Sequence, residues 1–191
     1  MSTAGDRWFF DRVARLYDFV MWPADAGPLQ AGLDLADREV ERVLDLGGGT
    51  GRAVAALQAD DEVVVDASLP MLRRAHDAGL AAVTGDAGRL PFRHDSVDAV
   101  LIVDALHHIP AVDAAIAEVV RVLRPGGVLI VRDFDPGTVP GRAIDLGETL
   151  VGMDSTFYGT SDLASRMERA GLRATVPDRG WIYTVAGVAT D

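Results

Sequence analysis

The 191-residue chain contains neither cysteine nor lysine, and all 18 of its basic residues are arginine. Without cysteine the chain has no disulfide, no thiol nucleophile and no cysteine metal site. Without lysine it has no P-loop lysine, no Schiff-base lysine and no lysine general base. Several common enzyme classes are therefore excluded before any motif is considered.

Positive charge is also scarce, because 29 acidic residues leave a formal net charge of −11. Such a surface repels nucleic-acid phosphates and anionic membranes. We therefore expect a small-molecule substrate and no nucleic-acid partner. The same composition suits a high-salt cytoplasm, where ions screen the self-repulsion of an acidic chain, and halophilic adaptation is a hypothesis from composition.

Long hydrophobic runs are missing as well. The apolar stretch Val97 to Ala105 is interrupted by Asp98 and Asp104, and it is shorter than the roughly 20 residues that span a bilayer. The N-terminus lacks the basic-then-apolar order of a signal peptide. With 49% apolar residues the chain fits one domain with one core, so we expect a cytoplasmic single domain over residues 1–191, without membrane insertion.

Short apolar runs alternate with helical patterns through the middle of the chain. The predicted strands are Arg42–Leu46, Glu62–Asp66, Leu80–Thr84, Asp98–Val103 and Gly127–Asp133. The predicted helices between them are Thr50–Ala59, Leu69–Ala78 and Val112–Leu123. This alternation predicts an α/β fold with a doubly wound, mostly parallel, Rossmann-like sheet and helices on both faces.

Both ends of the chain differ from this core. Residues 7–22 and 29–40 have the spacing of two helices, separated by a turn over Pro23–Pro28. After the core we predict helices near Arg142–Val151 and from Ser161, then an antiparallel hairpin of Leu172–Val176 and Trp181–Val188. The sheet would have seven strands with an antiparallel last strand. We divide the domain into N-terminal helices over the site (1–40), a cofactor-binding core (41–133) and a substrate-side segment with the closing hairpin (134–191).

A glycine-rich segment, Asp45 to Gly51, connects the first core strand to a helix. Glycines let the backbone turn sharply and let a ligand approach main-chain N–H groups at a helix start. A dinucleotide fingerprint has glycines at relative positions one, three and six, but position six counted from Gly47 is Arg52. The G-x-G-x-G spacing therefore argues against NAD, and the alternative to a cofactor loop is an ordinary tight turn.

Acidic side chains follow the strands that would lie beside this loop. Asp66 ends the second strand, 19 residues after Gly47, where a carboxylate can accept hydrogen bonds from both ribose hydroxyls. A helix cap is the alternative role for Asp66. With Asp86 and Asp104 after the third and fourth strands, these residues would share one crevice at the carboxyl edge of the sheet.

Five ordered motifs resemble a known family. They are Val43–Arg52, Val65–Leu72, Gly85–Ala87 with Leu90–Phe92, Asp95–Asp98 with Ala105–His108, and Arg121–Gly127. Together they resemble the class I S-adenosylmethionine-dependent methyltransferases, in the branch of the ubiquinone and menaquinone C-methyltransferases. The resemblance covers about residues 40–133, and the N-terminal Phe10–Ala14 and Tyr17-Asp18 resemble that branch more loosely.

The resemblance implies S-adenosylmethionine as cofactor, S-adenosylhomocysteine as product, and a set of binding residues. Those for the methionine portion and the sulfonium would be Asp45, Gly47, Gly48, Gly49, Val103 and Asp104. Those for the adenosine would be Asp66 at the ribose, Ala67 and Met71 beside the adenine, and Asp86 with Ala87 at its amino group. Tyr17 would close over the site. Met71 has helix core as its alternative role, and Asp86 a turn.

Proton removal is needed only if the methyl acceptor keeps its proton until late in the reaction. The candidates for a catalytic base are Asp104, His107 and His108, with Asp133 or Asp135 as further choices. The histidine pair also fits a structural role before Pro110. The four histidines have no metal-ligand spacing, and we predict His76 and His94 on the surface and no metal.

The residues after strand five include the apolar side chains Leu150, Met153, Phe157 and Tyr158, which suit a small, aromatic or quinone-like acceptor. Arg52, Arg132 and Arg142 are candidates for an anionic group. Two other functions stay open at this point: a cofactor-binding regulator or degenerate methyltransferase without turnover, and an NAD-dependent oxidoreductase. For the oligomeric state we expect a monomer or a homodimer.

Overall fold

The computed structural model describes residues 8–12, 24–57, 59 and 61–190. One seven-stranded sheet runs through it, in the order β3-β2-β1-β4-β5-β7-β6. The strands are β1 (Arg42–Leu46), β2 (Asp61–Asp66), β3 (Ala81–Thr84), β4 (Val97–Val103), β5 (Leu123–Phe134), β6 (Leu172–Asp178) and β7 (Ile182–Ala189). Strands β1 to β5 pair in parallel, and β7 is antiparallel to both β5 and β6.

Helices cover both faces of the sheet. They are α1 (Ala26–Leu33), α2 (Arg52–Leu57), α3 (Leu69–Asp77), α4 (Val112–Val122), α5 (Val139–Leu150) and α6 (Thr160–Arg169), with a 3-10 turn at Leu106–His108. The core on one face joins the sheet to α1, α2 and α3, and the core on the other joins it to α4, α6 and the 3-10 turn. The prediction of a doubly wound, mostly parallel sheet with a terminal antiparallel hairpin is confirmed.

Strand composition explains which strands lie at the centre. Strand β4 is buried along nearly its whole length, and Val63 to Val65 of β2 are buried on both faces. A parallel strand covered by helices on both sides needs such continuous apolar residues. The central strands therefore form a rigid support whose carboxyl ends are held in register.

The predicted helix over residues 29–40 is wrong in its bounds. Helix α1 begins at Ala26, because the Asp25 side chain caps it by accepting from Gly27 N–H. Pro28 is tolerated because a first-turn residue needs no N–H partner within the helix. The helix ends at Leu33, and Asp37 N–H then bonds the carbonyl of Gly126. Of the helix predicted over residues 7–22, the structure describes residues 8–12, which are helical.

Strand β5 begins four residues earlier than predicted. Leu123 pairs with Val97, and the ladder resumes at Val128 opposite Ala99 after a register shift. Pro125, Gly126 and Gly127 therefore lie in an irregular part of the strand and do not simply terminate the preceding helix. Among the described residues, no helix is long and apolar enough to cross a bilayer.

Candidate active site

A cleft of about 530 Å³ opens at the carboxyl edge of the sheet, beside the point between β1 and β4 where the strand order reverses. Its lining comes mainly from the ends of β1, β2, β3 and β4. The lining residues are Phe10, Leu46, Gly47, Gly49, Val65, Asp66, Ala67, Met71, Thr84–Gly88, Asp104, Ala105 and His108–Ala111. Open α/β sheets bind ligands at this position.

The glycine loop forms one wall of the cleft. Gly47 and Gly49 have φ angles of +72° and +58°, which side chains rarely adopt. A Cβ on Gly47 would lie 2.8 Å from the Cβ of Ala105, and one on Gly49 would lie 3.5 Å from Cε of Met71. The sequence needs glycine here because any side chain would either clash or narrow the cleft.

Asp66 lies at the end of β2 and is held in place by backbone groups. Gly49 N–H donates to its Oδ2 at 2.9 Å, and Ser68 N–H donates to its Oδ1 at 2.7 Å. Burial raises the pKa of Asp66 above its ordinary value, and the backbone N–H groups of Ser68, Gly49 and Ala67 oppose that rise. Each carboxylate oxygen can accept a further hydrogen bond, so the two oxygens together can accept from both hydroxyls of a vicinal diol.

Asp45 lies beneath the glycine loop and does not line the cleft. Its side chain is completely buried, and a Cβ on Gly48 would lie 2.3 Å from its Cγ. Neither carboxylate oxygen makes a hydrogen bond of ordinary geometry among the described residues. Burial raises the pKa of Asp45 to about 7, against the opposing influence of the Val54 N–H. Asp45 and Gly48 thus support the loop from below, and Val103 is also outside the cleft lining.

The cleft also contains the residues expected at adenine. Asp86 and Ala87 line it, and the Asp86 Oδ1 accepts from Gly88 N–H at 2.7 Å in a tight turn. Met71 also lines the cleft although its side chain is buried against the core. The following loop is fixed by α4, since Glu118 accepts from Leu90 N–H at 2.7 Å.

Asp104 follows β4 in an unusual backbone conformation. Its φ is +51°, and its N–H donates to the carbonyl of Arg132 at 2.9 Å. The side chain enters the cleft lining, where Oδ2 lies 3.3 Å from the guanidinium of Arg52. Burial raises the pKa of Asp104, and the positive charge of Arg52 counteracts it. A positive φ strains the backbone of a residue other than glycine, so it persists only where the surrounding structure enforces it, often at functional sites.

His107 is buried behind the cleft wall between two carboxylates. Its Nδ1 lies 2.7 Å from Oδ1 of Asp133, and its Nε2 lies 3.5 Å from Oε1 of Glu148. Burial alone would lower the pKa of His107, but the charge and hydrogen bond of Asp133, with Glu148, raise it to about 10. His107 is therefore an imidazolium near neutral pH, and it is not among the residues that line the cleft.

His108 is the histidine that lines the cleft in the described part of the chain. Its Nδ1 lies 3.2 Å from the Ser155 hydroxyl, and its ring meets the Phe10 ring edge-on with centroids 4.9 Å apart. The N-terminal segment is held over the cleft a second time by Asp11, whose Oδ1 accepts from the Ser68 hydroxyl at 2.6 Å. Phe10, Ser155 and Glu148 were not predicted from the sequence.

The segment between α5 and α6 attaches to the histidine pair. Thr156 N–H donates to the carbonyl of His107 at 2.8 Å, and the Phe157 ring stacks on His107 with centroids 4.5 Å apart. The buried Tyr183 hydroxyl donates to the carbonyl of Tyr158 at 2.8 Å. These contacts hold Phe157 and Tyr158 partly buried, whereas Leu150 of α5 is 78% exposed. Neither these residues nor Met153 are among those that line the cleft.

Several other predicted candidates have structural partners. Asp135 accepts from Gly137 N–H at 2.7 Å in the turn before α5. Arg132 pairs with Asp178 at 2.9 Å, and Arg142 donates to the carbonyl of Pro136. Of the three arginines considered for an anionic group, Arg52 is the one that pairs with a cleft residue. Tyr17 lies outside the described residues.

Among the described residues, His107, His108 and Glu148 form a group that could hold a metal ion, because their donor atoms lie within 4.8 Å of one another. A protonated imidazole nitrogen has no lone pair for a metal. With its raised pKa, His107 would first have to lose a proton that two carboxylates stabilise. The expectation of no metal site stays a prediction.

Comparisons with known proteins agree on a family. The methyltransferase domain family matches residues 44–131. A demethylmenaquinone methyltransferase of Beutenbergia cavernae is 43% identical over 147 residues, which cover 71% of this chain and 60% of that protein. A demethylmenaquinone methyltransferase of Mycobacterium sp. strain KMS is 31% identical over 191 residues, covering 90% of this chain and 83% of that protein.

Solved structures agree on the fold. An S-adenosylmethionine-dependent methyltransferase of Thermotoga maritima superposes with a TM-score of 0.79 at 23% identity, covering 95% of this chain and 99% of that chain. The glycine loop and the Asp66 carboxylate stand at the cleft as the motifs predicted. The chain therefore belongs to the class I S-adenosylmethionine-dependent methyltransferases, in the branch of the ubiquinone and menaquinone C-methyltransferases, and its cofactor is S-adenosylmethionine.

Proposed function

We propose that the chain methylates a small, flat, quinone-like or other aromatic acceptor. One observation carries the proposal: a single cleft runs from the diol-accepting carboxylate of Asp66 to the imidazole of His108. Its relatives of Beutenbergia and Mycobacterium are named for methylation of demethylmenaquinone. The cleft volume lies within the range of small-molecule sites.

The residues of the cleft fit the cofactor. The carboxylate of Asp66 would accept the ribose hydroxyls, because both of its oxygens are oriented by backbone N–H groups and retain lone pairs. Ala67, Met71, Asp86 and Ala87 would surround the adenine. When bound, S-adenosylmethionine supplies a methyl group that is already activated by a positively charged sulfur.

The methionine portion would lie along the glycine loop. Gly47 and Gly49 present backbone there, and Asp104 with its partner Arg52 supplies one carboxylate and one guanidinium nearby. Asp45 and Gly48 would act indirectly, by holding the loop. Val103 would act through the position of Asp104, which it precedes.

The acceptor would bind in the part of the cleft beside His108. Phe10, Ile109, Pro110 and Ala111 contribute apolar surface to the cleft, and His108 contributes a polar ring nitrogen. Because the cofactor is already activated, orientation of the acceptor and exclusion of water are the main tasks of these residues. An aromatic ring between Phe10 and the Ile109–Ala111 wall would satisfy both.

Calorimetry with S-adenosylmethionine, S-adenosylhomocysteine and NAD tests the cofactor site. We expect binding of both sulfur ligands and none of NAD. Turnover is then measured with demethylmenaquinol, simple phenols, amines and carboxylates, and we expect methylation of the quinol or phenol class. Binding of the sulfur ligands with no methylation of any acceptor would favour the cofactor-binding regulator or degenerate methyltransferase over an active enzyme.

The other expectations concern the assembled protein. We expect a monomer or homodimer in the cytoplasm, with no nucleic-acid partner. Light scattering coupled to size-exclusion chromatography measures the oligomeric state, and an oligomer larger than a dimer would contradict this expectation.

A further inference from the structure

A chain of polar side chains leads away from the cleft behind His108. The His108 Nδ1 contacts the Ser155 hydroxyl at 3.2 Å, and Ser155 also lies beside Glu148 of α5, whose pKa it helps to lower. Glu148 forms an ion pair with His107 at 3.5 Å, and His107 bonds Asp133 at 2.7 Å. This arrangement connects the cleft to α5 through side chains that are not among the cofactor-binding residues named above.

We infer that His108 accepts the proton lost by the methyl acceptor, and that Ser155 and Glu148 are positioning residues that fix its tautomer and stabilise its charged form. The inference deepens the proposed function and rests on it. It assigns roles to two residues of the substrate-side segment, 40 and 47 positions beyond the histidine.

Hydrogen-bond capacity determines the tautomer. An ionised carboxylate can only accept, and a serine hydroxyl has one proton to donate. If Ser155 donates that proton to Glu148, its oxygen must accept from His108, which places the imidazole proton on Nδ1. The other nitrogen, Nε2, is then the one able to take up a proton, and His108 lines the cleft.

Glu148 is kept ionised by its neighbours. Burial alone would raise the pKa of Glu148, but the hydrogen bond and charge of His107 hold that pKa below its ordinary value. His107 is itself held as an imidazolium by Asp133 on its other side. Asp133 and His107 therefore act indirectly, because they keep the Glu148 carboxylate ionised. That carboxylate in turn orients the Ser155 hydroxyl that contacts His108.

The charged and polar groups around His108 come from five parts of the fold. They are His107 beside it, Asp133 of β5, Glu148 of α5, Ser155 of the following segment, and Asp104 after β4, which lines the same cleft. The positive charges of His107 and Arg52 balance two of the three negative carboxylates. A proton on His108 would be stabilised by this net negative surrounding.

The step balances without another reactant. The acceptor's proton moves to Nε2 of His108, and the electron pair that held it becomes available to form the new bond to the methyl carbon. The pair of the broken sulfur–carbon bond stays on sulfur. His108 then returns its proton to solvent.

The test compares Glu148→Gln and Ser155→Ala with the exposed controls Glu168→Gln and Ser165→Ala, and uses Ser155→Thr as a rescue. Turnover of demethylmenaquinol is measured against pH, and the His108 imidazole is titrated by NMR, with the His108→Asn spectrum for assignment. General-base removal is worth about 100-fold or more in rate, so loss of positioning should lower kcat by about 10–100-fold. The KM for S-adenosylmethionine should change little.

We expect both positioning variants to move the acid limb of the rate profile and the His108 titration to lower pH, because an imidazolium without its negative partner is less stable. Ser155→Thr should restore both. The inference is overturned if His108→Asn retains wild-type kcat, or if the variants lose stability without moving either curve. If the wild type methylates no acceptor, the proposed function fails, and an unmoved His108 titration separately overturns the positioning roles.

Discussion

Asp45 and Asp66 end neighbouring parallel strands, yet their surroundings give them different chemistry. Asp66 accepts backbone hydrogen bonds at the cleft, whereas Asp45 is enclosed beneath the glycine loop. In the sequence both are acidic residues at strand ends, and the resemblance assigns both to the cofactor. The difference arises from three-dimensional burial, which a motif does not contain.

Replacing Asp66 should weaken cofactor binding directly. In Asp66→Ala we expect S-adenosylhomocysteine to bind about 1–3 kcal/mol more weakly, because hydrogen bonds from the ribose to a charged group are lost. Calorimetry measures the change, with the exposed Asp77→Ala as control and a thermal melt to verify folding. Unchanged affinity in a folded variant would place the ribose elsewhere.

Asp45 should make stability depend on pH. Its folded-state pKa of about 7 lies above the ordinary 3.8, so the unfolded chain gives up this proton first as the pH rises. Its contribution to stability is complete below about pH 4 and is lost by about pH 7, amounting to at most about 4 kcal/mol. Asp45→Asn should therefore gain stability relative to wild type as the pH rises.

Urea unfolding of both proteins across this pH range measures the difference. The exposed Asp77→Asn serves as control for the loss of one carboxylate. Parallel curves for wild type and Asp45→Asn would show that Asp45 does not hold its proton in the folded state.

At the scale of elements, the loop between β1 and α2 and the helix α5 contain glycines of opposite character. Gly47 has positive φ and a neighbour 2.8 Å from its missing Cβ, whereas Gly147 of α5 has nothing within 4 Å. Gly47→Ala should destabilise the fold by about 1–3 kcal/mol and reduce cofactor affinity. Gly147→Ala should stabilise it by about 0.5–1 kcal/mol, because alanine favours a helix.

Chemical denaturation of the two variants tests this contrast, and the wild type is the reference for both. Equal stability of Gly47→Ala and wild type would mean that the loop relaxes around a side chain. A loss of stability in Gly147→Ala would mean that α5 is not helical at that position.

Element bounds were predictable where a local signal marks them. The alternation of buried runs and helical spacing was sufficient to place β1 to β4, and Ser68 caps α3 by a side-chain hydrogen bond. Helix α5 was predicted from Arg142 but begins at Val139, because the Thr138 hydroxyl caps it by accepting from Gly141 N–H. Helix α1 was misplaced because Pro23–Pro28 resembles a turn. The early start of β5 depends on pairing with Val97, a contact between distant residues that local patterns do not encode.

At the scale of the whole molecule, the net charge of −11 sets the response to salt. Raising KCl from about 0.05 M to about 1 M should raise the melting temperature, because screening weakens the repulsion among carboxylates. A neutral osmolyte at matched osmolality controls for effects other than charge. A melting temperature that falls with KCl would contradict the halophilic hypothesis.

The cofactor half of the site was more predictable than the acceptor half. Its residues follow consecutive strands, so parallel pairing brings Gly47, Asp66, Asp86 and Asp104 to one edge. The partners of the histidines, Glu148 and Ser155, come from a segment without a motif and reach the site only through tertiary packing. No spacing rule links positions so far apart.

The attachment of residues 151–159 has a consequence for how such a protein can diversify. Two hydrogen bonds attach the segment through its own main chain. Thr156 N–H donates to the His107 carbonyl, and the Tyr158 carbonyl accepts from the Tyr183 hydroxyl. Side chains of this segment other than Ser155 and Phe157 can therefore change in evolution while these two attachments persist. Such changes would alter the surroundings of the histidine pair and leave the cofactor residues of the cleft intact.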